Sequence, residues 1–254
     1  MKLSQFKKTI ATLFPAELLA VHDDFGWVSE KKDDVHRLGY CTNLSLEAIE
    51  SAAKQNVDLL LTHHDAWDFL YGLREACIEK LNLYEMNHFY IHGPLDYAEF
   101  GTCTSLMNAL GIDTMIQPAA YDEGDVPGIG EFSAPVPFES LVSKASSALG
   151  EPVRAWKHHG RPVKRIGIVT GAGHSSDSIK RALDAGCDTY ITGEATLYTV
   201  QYAQFTGINL IAGSHTFTEL FGVESLANRI KEEHAEVELV KIEESHFEAS
   251  GWAR

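Results

Sequence analysis

The 254-residue sequence predicts an α/β fold composed of two similar halves. Short apolar runs of strand character alternate with amphipathic helical patterns, and this alternation favours parallel or mixed sheets with helices packed against them. Weak but ordered self-similarity between the halves indicates an internal duplication. The composition, with 44% hydrophobic and 22% charged residues, is typical of an ordinary globular protein.

The first half opens with a helical pattern over 4–14 that ends before Pro15, because proline cannot continue the hydrogen-bond ladder of a helix. A second helix is predicted over 45–57, where Ser45 can cap the amino end and Glu47 lies in the first turn. The other predicted elements of this half are a strand or loop at VHDDFGWV, a buried strand DLLLTHH, a helix over 73–87, a strand over 88–93 and a helix over 101–112.

The stretch 118–164 differs in composition, because six of the eight prolines of the chain lie in it. We interpret 119–164 as a Pro/Gly-rich connection that contains one helix, FESLVSKASSALG. The expected organisation is therefore a first α/β half over 1–118, this connection, and a second α/β half over 165–254.

The second half resumes the alternation of strands and helices. Its predicted elements are a strand over 165–170, a helix over 177–186, a strand over 187–194, a helix at ATLYTVQYAQFTG, a strand over 208–213, a helix over 218–234 and a strand over 235–242. The segment GAGHSS, between the first strand and helix, is either an anion-binding turn near His174 or a close helix–strand turn. We favour the turn, because the segment lacks the third glycine of a GxGxxG motif.

The internal repeat is clearest where VDLLLTHH and CDTYITGE are aligned at an offset of 130 residues. Asp58 then matches Asp188, and the pair His63-His64 matches Gly193-Glu194. The later segments FGTCTSLMNAL and FGVESLANRI also share Phe-Gly, Ser-Leu and Asn in the same order. We therefore expect two equivalent strand ends that face one another and share a site.

Polar residues of metal-ligand type follow three of the predicted strands. They are, in chain order, His63 and His64, His92 and Asp96, and His215 and Glu219. Ligands in open α/β sheets collect beyond the carboxyl ends of the strands. If a helix begins near His215, this residue and Glu219 lie one turn apart on the same face.

Each motif also has an interpretation without a ligand: a polar loop for the histidine pair, a solvated i,i+4 pair for His215 and Glu219, and a simple turn at Gly93-Pro94. Their shared position at strand ends favours the ligand interpretation. Five or six nitrogen and oxygen donors exceed what one tetrahedral ion needs, so two metals that share a carboxylate are predicted. Such a pair activates water and clamps an oxyanion or phosphate oxygens.

The charge balance argues against nucleic-acid binding, because a formal net charge of −15 disfavours a broad phosphate-neutralising surface. A local basic group over 154–165 leaves a small patch possible, with a solvated loop as the alternative. Four scattered cysteines without a CxxC pair fit a reducing compartment. With no signal peptide and no long apolar run, we expect a cytoplasmic protein without a membrane span.

Four motifs follow one another along the chain: THHD after an apolar strand, HGPLD before a glycine-led helix, TGE after CDTYI, and GSHTFTE. With this ordered set of motifs, the chain resembles the NIF-three-like dinuclear metal proteins, whose bacterial members are often named YbgI or GTP cyclohydrolase type-two homologue. The resemblance covers nearly the whole chain and implies metal ligands at His63, His64, Asp96, His215 and Glu219, with His92 as a neighbour. It also implies intertwined, duplicated α/β halves with mixed sheets, a metal site in the cleft between them, and a ring-shaped homohexamer.

The leading functional hypothesis is a metal-dependent hydrolase with two divalent ions that acts on a small polar or nucleotide-like substrate. Glu219 and Glu194 are the candidate catalytic carboxylates, although Glu194 is equally consistent with a buried structural role. The donor set accepts zinc, iron, manganese or nickel. The alternatives are a non-catalytic metal-binding or regulatory ring and a ring that encircles DNA. The segment Asp65-Ala66-Trp67-Asp68 replaces an apolar, Pro-containing stretch common in the family, which leaves the substrate preference open.

Overall fold

A computed structural model of the chain describes residues 1–22, 24–119 and 126–245. These residues form two compact units, the first drawn from Met1–Ala98 and Val223–His246 and the second from Glu99–Gly222. Within the described ranges, no helix combines the length and the apolar character needed to cross a bilayer.

The helices and strands of the described residues alternate along most of the chain. The helices are α1 (Leu3–Leu13), α2 (Ala16–Val21), α3 (Leu46–Lys54), α4 (Leu73–Leu83), α5 (Gly93–Tyr97), α6 (Thr102–Ala109), α7 (Phe138–Leu149), α8 (Ser176–Asp184), α9 (Leu197–Thr206) and α10 (His215–Glu233). The strands are β1 (Phe25–Ser29), β2 (Arg37–Asn43), β3 (Leu59–His64), β4 (Asn87–Ile91), β5 (Thr114–Gln117), β6 (Gly128–Val136), β7 (Arg154–Trp156), β8 (Val163–Val169), β9 (Thr189–Thr192), β10 (Asn209–Ala212) and β11 (Glu238–Lys241).

The first unit is built on a mixed sheet with the strand order β1-β4-β3-β2-β11. Strands β11, β2, β3 and β4 run parallel, and β1 pairs with β4 in the antiparallel direction. Every residue of β3 is buried, as expected for an interior strand of a parallel sheet. Helix α3 packs Ile49 into the core and is capped by Ser45, whose hydroxyl accepts the Ala48 N–H at 3.0 Å.

The second unit is built on a mixed sheet with the strand order β5-β6-β8-β9-β10-β7. Strands β8, β9 and β10 are parallel, whereas β6 and β7 pair with β8 and β10 in the antiparallel direction. The core beside this sheet contains Ile179 and Ala182 of α8 together with Tyr190 of β9. The predicted α/β class with mixed sheets is therefore confirmed in both units.

The predicted duplication is confirmed by the topology of the two sheets. The order β1-β4-β3-β2 recurs as β7-β10-β9-β8, with three parallel strands and one antiparallel edge strand in each case. Asn87 and Asn209, the first residues of β4 and β10, have the same role. Each side-chain Oδ1 accepts the backbone N–H groups of two consecutive residues in the segment beside the edge strand, 31–32 or 158–159.

Two sequence-based expectations need correction. The stretch 119–164 does not act only as a connection, since it contributes β6, α7 and β7 to the second unit. Its prolines are compatible with this structure because Pro135 lies at a register irregularity of β6 and Pro137 immediately precedes α7. The predicted boundaries at 118 and 165 also differ from the two units, because 223–245 belongs with the amino-terminal part of the chain.

Strand β2 was not predicted, because its sequence RLGYCTN contains a glycine and polar residues. A glycine is required at position 39, because a Cβ there would lie only 3.0 Å from the Val57 side chain. Packing against the segment that follows α3 therefore favours a residue with low intrinsic strand propensity.

Candidate functional site

The histidine pair of the first unit lies at the end of β3, in agreement with the predicted buried strand DLLLTHH. His63 and His64 are the last two residues of the strand, and both are buried. Their ring centroids are only 4.5 Å apart. His63 Nδ1 lies 2.9 Å from the Ile91 carbonyl oxygen, and His64 Nδ1 lies 2.8 Å from Asn43 Oδ1. Because both partners accept, each Nδ1 carries the proton and each Nε2 carries the lone pair that a metal would use.

His92 and Asp96 follow β4, and the short helix α5 places them one turn apart. His92 Nδ1 lies 2.5 Å from Asp24 Oδ2, and the other oxygen of Asp24 accepts the Gly93 N–H at 3.2 Å. Burial raises the pKa of Asp24, but the hydrogen bond and charge of His92 outweigh it and lower this pKa overall. Asp96 Oδ1 lies 3.4 Å from His63 Nε2, so the carboxylate faces the histidine pair.

The donor set of the first unit fits a divalent metal ion. One ligand atom from each of His63, His64 and His92 lies within 4.8 Å of the other two. Asp96 adds a carboxylate oxygen beside His63. Imidazole nitrogens with carboxylate oxygens suit first-row divalent ions, and a carboxylate behind a ligating imidazole, as Asp24 is behind His92, is the usual outer support.

The second unit brings together His215, Glu219, Glu194 and His174. His215 is the first residue of α10, and its Nε2 lies 3.3 Å from Oε1 of Glu219 on the next turn. On its other side, Nδ1 lies 2.7 Å from Glu194 Oε1. The second oxygen of Glu194 lies 3.1 Å from His174 Nδ1. His215 is thus held between two carboxylates, of which Glu219 is buried and Glu194 is partly exposed.

These contacts determine the protonation of His215. Burial alone lowers the pKa of its imidazole, but the charge of Glu219 and the hydrogen bonds to Glu219 and Glu194 together raise the pKa to about 10. In the absence of a metal, His215 is therefore a cation near neutral pH. A divalent ion placed against this residue replaces the proton, which is the usual coupling between metal binding and proton release.

Glycine residues make the space for the carboxylate and imidazole of the second unit. Gly171 has a φ of +61°, and a Cβ there would lie 2.0 Å from Glu219 Oε1 and 2.9 Å from His215 Nε2. A Cβ on Gly193 would lie 2.8 Å from the His215 Cα. The segment GAGHSS therefore has a packing role, as a close turn that gives Glu219 room.

Nearly the whole chain matches one known protein family. A family model described as Duf34/NIF3 (NGG1p interacting factor 3) matches residues 1–247. The chain belongs to this family. The resemblance expected from the motifs THHD, HGPLD, TGE and GSHTFTE is confirmed.

Several relatives of this NIF3 family protein carry the name GTP cyclohydrolase 1 type 2 homolog. The one from Pyrococcus abyssi (strain GE5 / Orsay) is 29% identical over 209 residues, which cover 80% of this chain and 82% of the relative. The solved structure of a protein named ybgI, described as of unknown function, has a TM-score of 0.81 at 24% identity and covers 97% of this chain and 99% of that one. Reduced HcgD from Methanocaldococcus jannaschii has a TM-score of 0.79 at 22% identity, with 96% and 98% covered. At these identities the two solved structures support the fold.

Two residues that support these imidazoles were not predicted from the sequence. Asp24 behind His92 and Asn43 behind His64 form contacts between segments 68 and 21 residues apart. No local spacing signals such a contact. The sequence did offer a chemical signal at Asn43. A polar side chain at the end of β2, beside the buried apolar strand β3, needs a hydrogen-bond partner.

Proposed function

We propose that this protein binds two divalent metal ions through His63, His64, Asp96, His215 and Glu219 and uses them as a metal-dependent hydrolase. The observation that carries the proposal is the set of hydrogen bonds at Nδ1 of the imidazoles. In the first unit, His63 and His64 direct Nδ1 to hydrogen-bond acceptors, and in the second unit His215 directs Nδ1 to Glu194. This leaves the Nε2 atoms as the donors toward a metal, which is the arrangement found in metal sites with outer-shell support.

Two ions, rather than one, account for the number of donors. The five residues offer three imidazoles and two carboxylates, which exceeds a single tetrahedral coordination shell. A bound pair of divalent ions would activate water near neutral pH and stabilise negative charge on the substrate. The donor set accepts zinc, iron, manganese or nickel, and the identity of the ion is determined by metal availability as well as by the ligands.

The carboxylates of the second unit have different parts in this proposal. Glu219 is buried and contacts His215 Nε2, so we assign it the roles of metal ligand and catalytic carboxylate. Glu194 was predicted as a catalytic carboxylate. Its two oxygens contact His215 Nδ1 and His174 Nδ1, so we assign it a positioning role that acts through His215. His92, backed by Asp24, is a further donor beside His63 and His64.

The proposed substrate is a small polar molecule, and a purine nucleotide is the first candidate because relatives carry the name GTP cyclohydrolase 1 type 2 homolog. We do not propose a nucleic acid. The basic group over 154–165 is partly neutralised within the second unit, where Lys157 lies 2.6 Å from Glu139 and Arg165 lies 2.6 Å from Glu131. This pairing adds to the effect of the net charge of −15.

We also propose that the protein is a homo-oligomer, namely the hexameric ring that the family resemblance implies. Both units expose large apolar side chains that an interface between copies would cover, namely Phe69, Leu70, Tyr71, Leu197, Tyr198 and Phe205. The same observation favours the second candidate function, a non-catalytic metal-binding ring in which the metal stabilises the assembly.

The test begins with elemental analysis of protein purified without added metal, followed by a hydrolysis screen over nucleotides and phosphoesters. The variant Glu219→Gln then separates the two candidates, with Glu232→Gln, an exposed carboxylate later in α10, as the control. Loss of turnover with an unchanged oligomer, measured by analytical ultracentrifugation, supports the hydrolase. Loss of the oligomer together with the metal supports the structural ring. Protein that neither contains nor takes up metal contradicts both.

A further inference from the structure

We propose that Glu244 is a positioning residue for His64, acting through the side-chain amide of Asn43. It selects the imidazole tautomer whose Nε2 binds metal. The inference rests on the proposed metal-binding function and extends the donor support to the segment that follows β11. Glu244 lies 201 residues from Asn43 in sequence, and no motif indicated it.

The carboxylate of Glu244 is buried in the first unit, with 8% of the residue exposed. Its Oε2 accepts the Thr42 N–H at 2.6 Å. Its Oε1 accepts both the backbone N–H and the Nδ2 of Asn43, each at 2.9 Å. The backbone N–H groups are donors only, so Glu244 acts here as an acceptor.

This chain of bonds fixes the direction of the Asn43 amide. The two ends of an amide side chain have nearly the same shape, and rotation by half a turn exchanges its donor and its acceptor. Glu244 accepts from one end, so that end is the Nδ2 donor. The Oδ1 acceptor then faces His64, and His64 Nδ1, at 2.8 Å, must carry the proton.

His64 needs this outer support more than its two neighbours do. His63 Nδ1 faces the Ile91 carbonyl, and His92 Nδ1 faces the Asp24 carboxylate. A carbonyl and a carboxylate only accept, so the tautomers of His63 and His92 are already determined. The amide facing His64 can present either end, and the hydrogen bond from its Nδ2 to Glu244 favours the direction in which Oδ1 faces His64.

Without the carboxylate, the Asn43 amide can rotate and present Nδ2 to His64. The imidazole then accepts on Nδ1 and carries its proton on Nε2, which removes the lone pair required by a metal. Changes in such outer-shell partners typically reduce metal affinity about 10–100-fold. We expect metal affinity to fall by this factor when the direction of the Asn43 amide is no longer fixed. We call the hydrogen-bonded series from Glu244 through Asn43 to His64 the relay.

The sharpest variant is Glu244→Gln, which keeps the shape of the side chain but can present either end of its own amide to Asn43. The rescue variant is Asn43→Asp combined with Glu244→Gln. In this double variant the new carboxylate at position 43 accepts from His64, and the new amide at position 244 donates to that carboxylate, so the direction toward His64 is restored. The control is Ser245→Ala, which removes the hydrogen bonds from Ser245 to Glu47 in the same segment and leaves the relay intact.

The first measurement uses the 254-residue chain in its metal-free form. Long-range ¹H–¹⁵N NMR of the histidine rings, recorded where His64 is neutral, reports which ring nitrogen carries the proton. We expect the Nδ1–H form in the wild type, in Ser245→Ala and in the double variant, and a mixture of both forms in Glu244→Gln. A Glu244→Gln spectrum with the wild-type tautomer population overturns the proposal.

The second measurement is a competition titration of Zn²⁺ against a chelator, together with thermal unfolding to report any general loss of stability. We expect an affinity about 10–100-fold weaker in Glu244→Gln and recovery in the double variant. A tautomer change without a change in affinity overturns the role toward metal. If the wild type binds no Zn²⁺ or other divalent ion, the proposed function fails, and the NMR result still decides whether Glu244 controls the His64 tautomer.

Discussion

Asp58 and Asp188 hold the same position in the two sheets and make the same bonds. The Asp58 Oδ2 accepts the backbone N–H groups of Arg37 and of the residue before it, at 3.1 and 2.9 Å. The Asp188 Oδ2 accepts those of Arg165 and of the residue before it, at 3.0 and 2.8 Å. In both sheets, the residue that precedes a central parallel strand therefore anchors the start of the neighbouring strand, β2 or β8.

We predict that Asp58→Ala and Asp188→Ala each lower the free energy of unfolding by about 1–3 kcal/mol, because two backbone donors lose a charged acceptor. Urea unfolding of each variant measures the loss. Asp184→Ala is the control, since this exposed residue of α8 forms a surface ion pair with Lys180 that contributes little. A loss no larger than that of the control in either repeat would contradict the equivalence.

The duplication was predictable because it leaves a trace in sequence. The alignment of Asp58 with Asp188 is correct, and it reflects a backbone requirement that both copies share. Strand β3 and the position of the histidine pair were also predictable, because an uninterrupted apolar run before two imidazoles indicates a buried strand that ends at a polar site.

Other features could not be predicted, for identifiable physical reasons. The division into two units was missed because one continuous helix, α10, contains residues of both, so no change in loop composition marks the boundary. The relay from Glu244 to Asn43 was missed because it joins residues 201 positions apart. Sequence periodicity reports which face of an element is buried, but it does not report which polar side chains meet.

We predict that Gly171→Ala weakens metal binding as well as stability. The new Cβ would lie 2.0 Å from Glu219 Oε1, so the carboxylate must move away from His215. Gly207→Ala is a matched control, because Gly207 also has a positive φ, +76°, but an added Cβ meets nothing within 4 Å. Both variants should lose about 1–2 kcal/mol from backbone strain.

Only Gly171→Ala should also lose metal affinity, measured by titration of the metal-free protein with Zn²⁺. Equal affinities in the two glycine variants would mean that the position of Glu219 against Gly171 has no bearing on metal binding.

We predict that Glu194→Gln reduces metal affinity about 10-fold or more, because the partner of His215 Nδ1 loses its charge. The measurement is competitive metal titration, with Glu139→Gln as the control for loss of a surface carboxylate, one that pairs with Lys157. Should Glu194→Gln bind metal as the wild type does while losing turnover, Glu194 would act on the substrate directly and not through His215.

The last prediction concerns His88, a fully buried histidine of β4 whose Nε2 lies 2.8 Å from Thr62 Oγ1. Burial lowers the pKa of His88 from 6.5 to about 3. The folded state therefore keeps His88 neutral where the unfolded chain binds a proton. Above pH 6.5 this difference does not lower the free energy of unfolding. As the pH falls from 6.5 toward 3, the free energy of unfolding decreases by about 1.4 kcal/mol per pH unit.

Leu210 takes the corresponding place in the second sheet, next to Asn209 as His88 is next to Asn87, so leucine is the natural replacement. In His88→Leu, the free energy of unfolding should fall less steeply with decreasing pH, by about 1.4 kcal/mol per unit, because the variant has no proton to take up on unfolding. Urea unfolding at a series of mildly acidic pH values measures the slope. Replacing the exposed His36 is the control and should leave the wild-type slope. Parallel slopes for His88→Leu and the wild type would show that burial of His88 does not contribute to acid sensitivity.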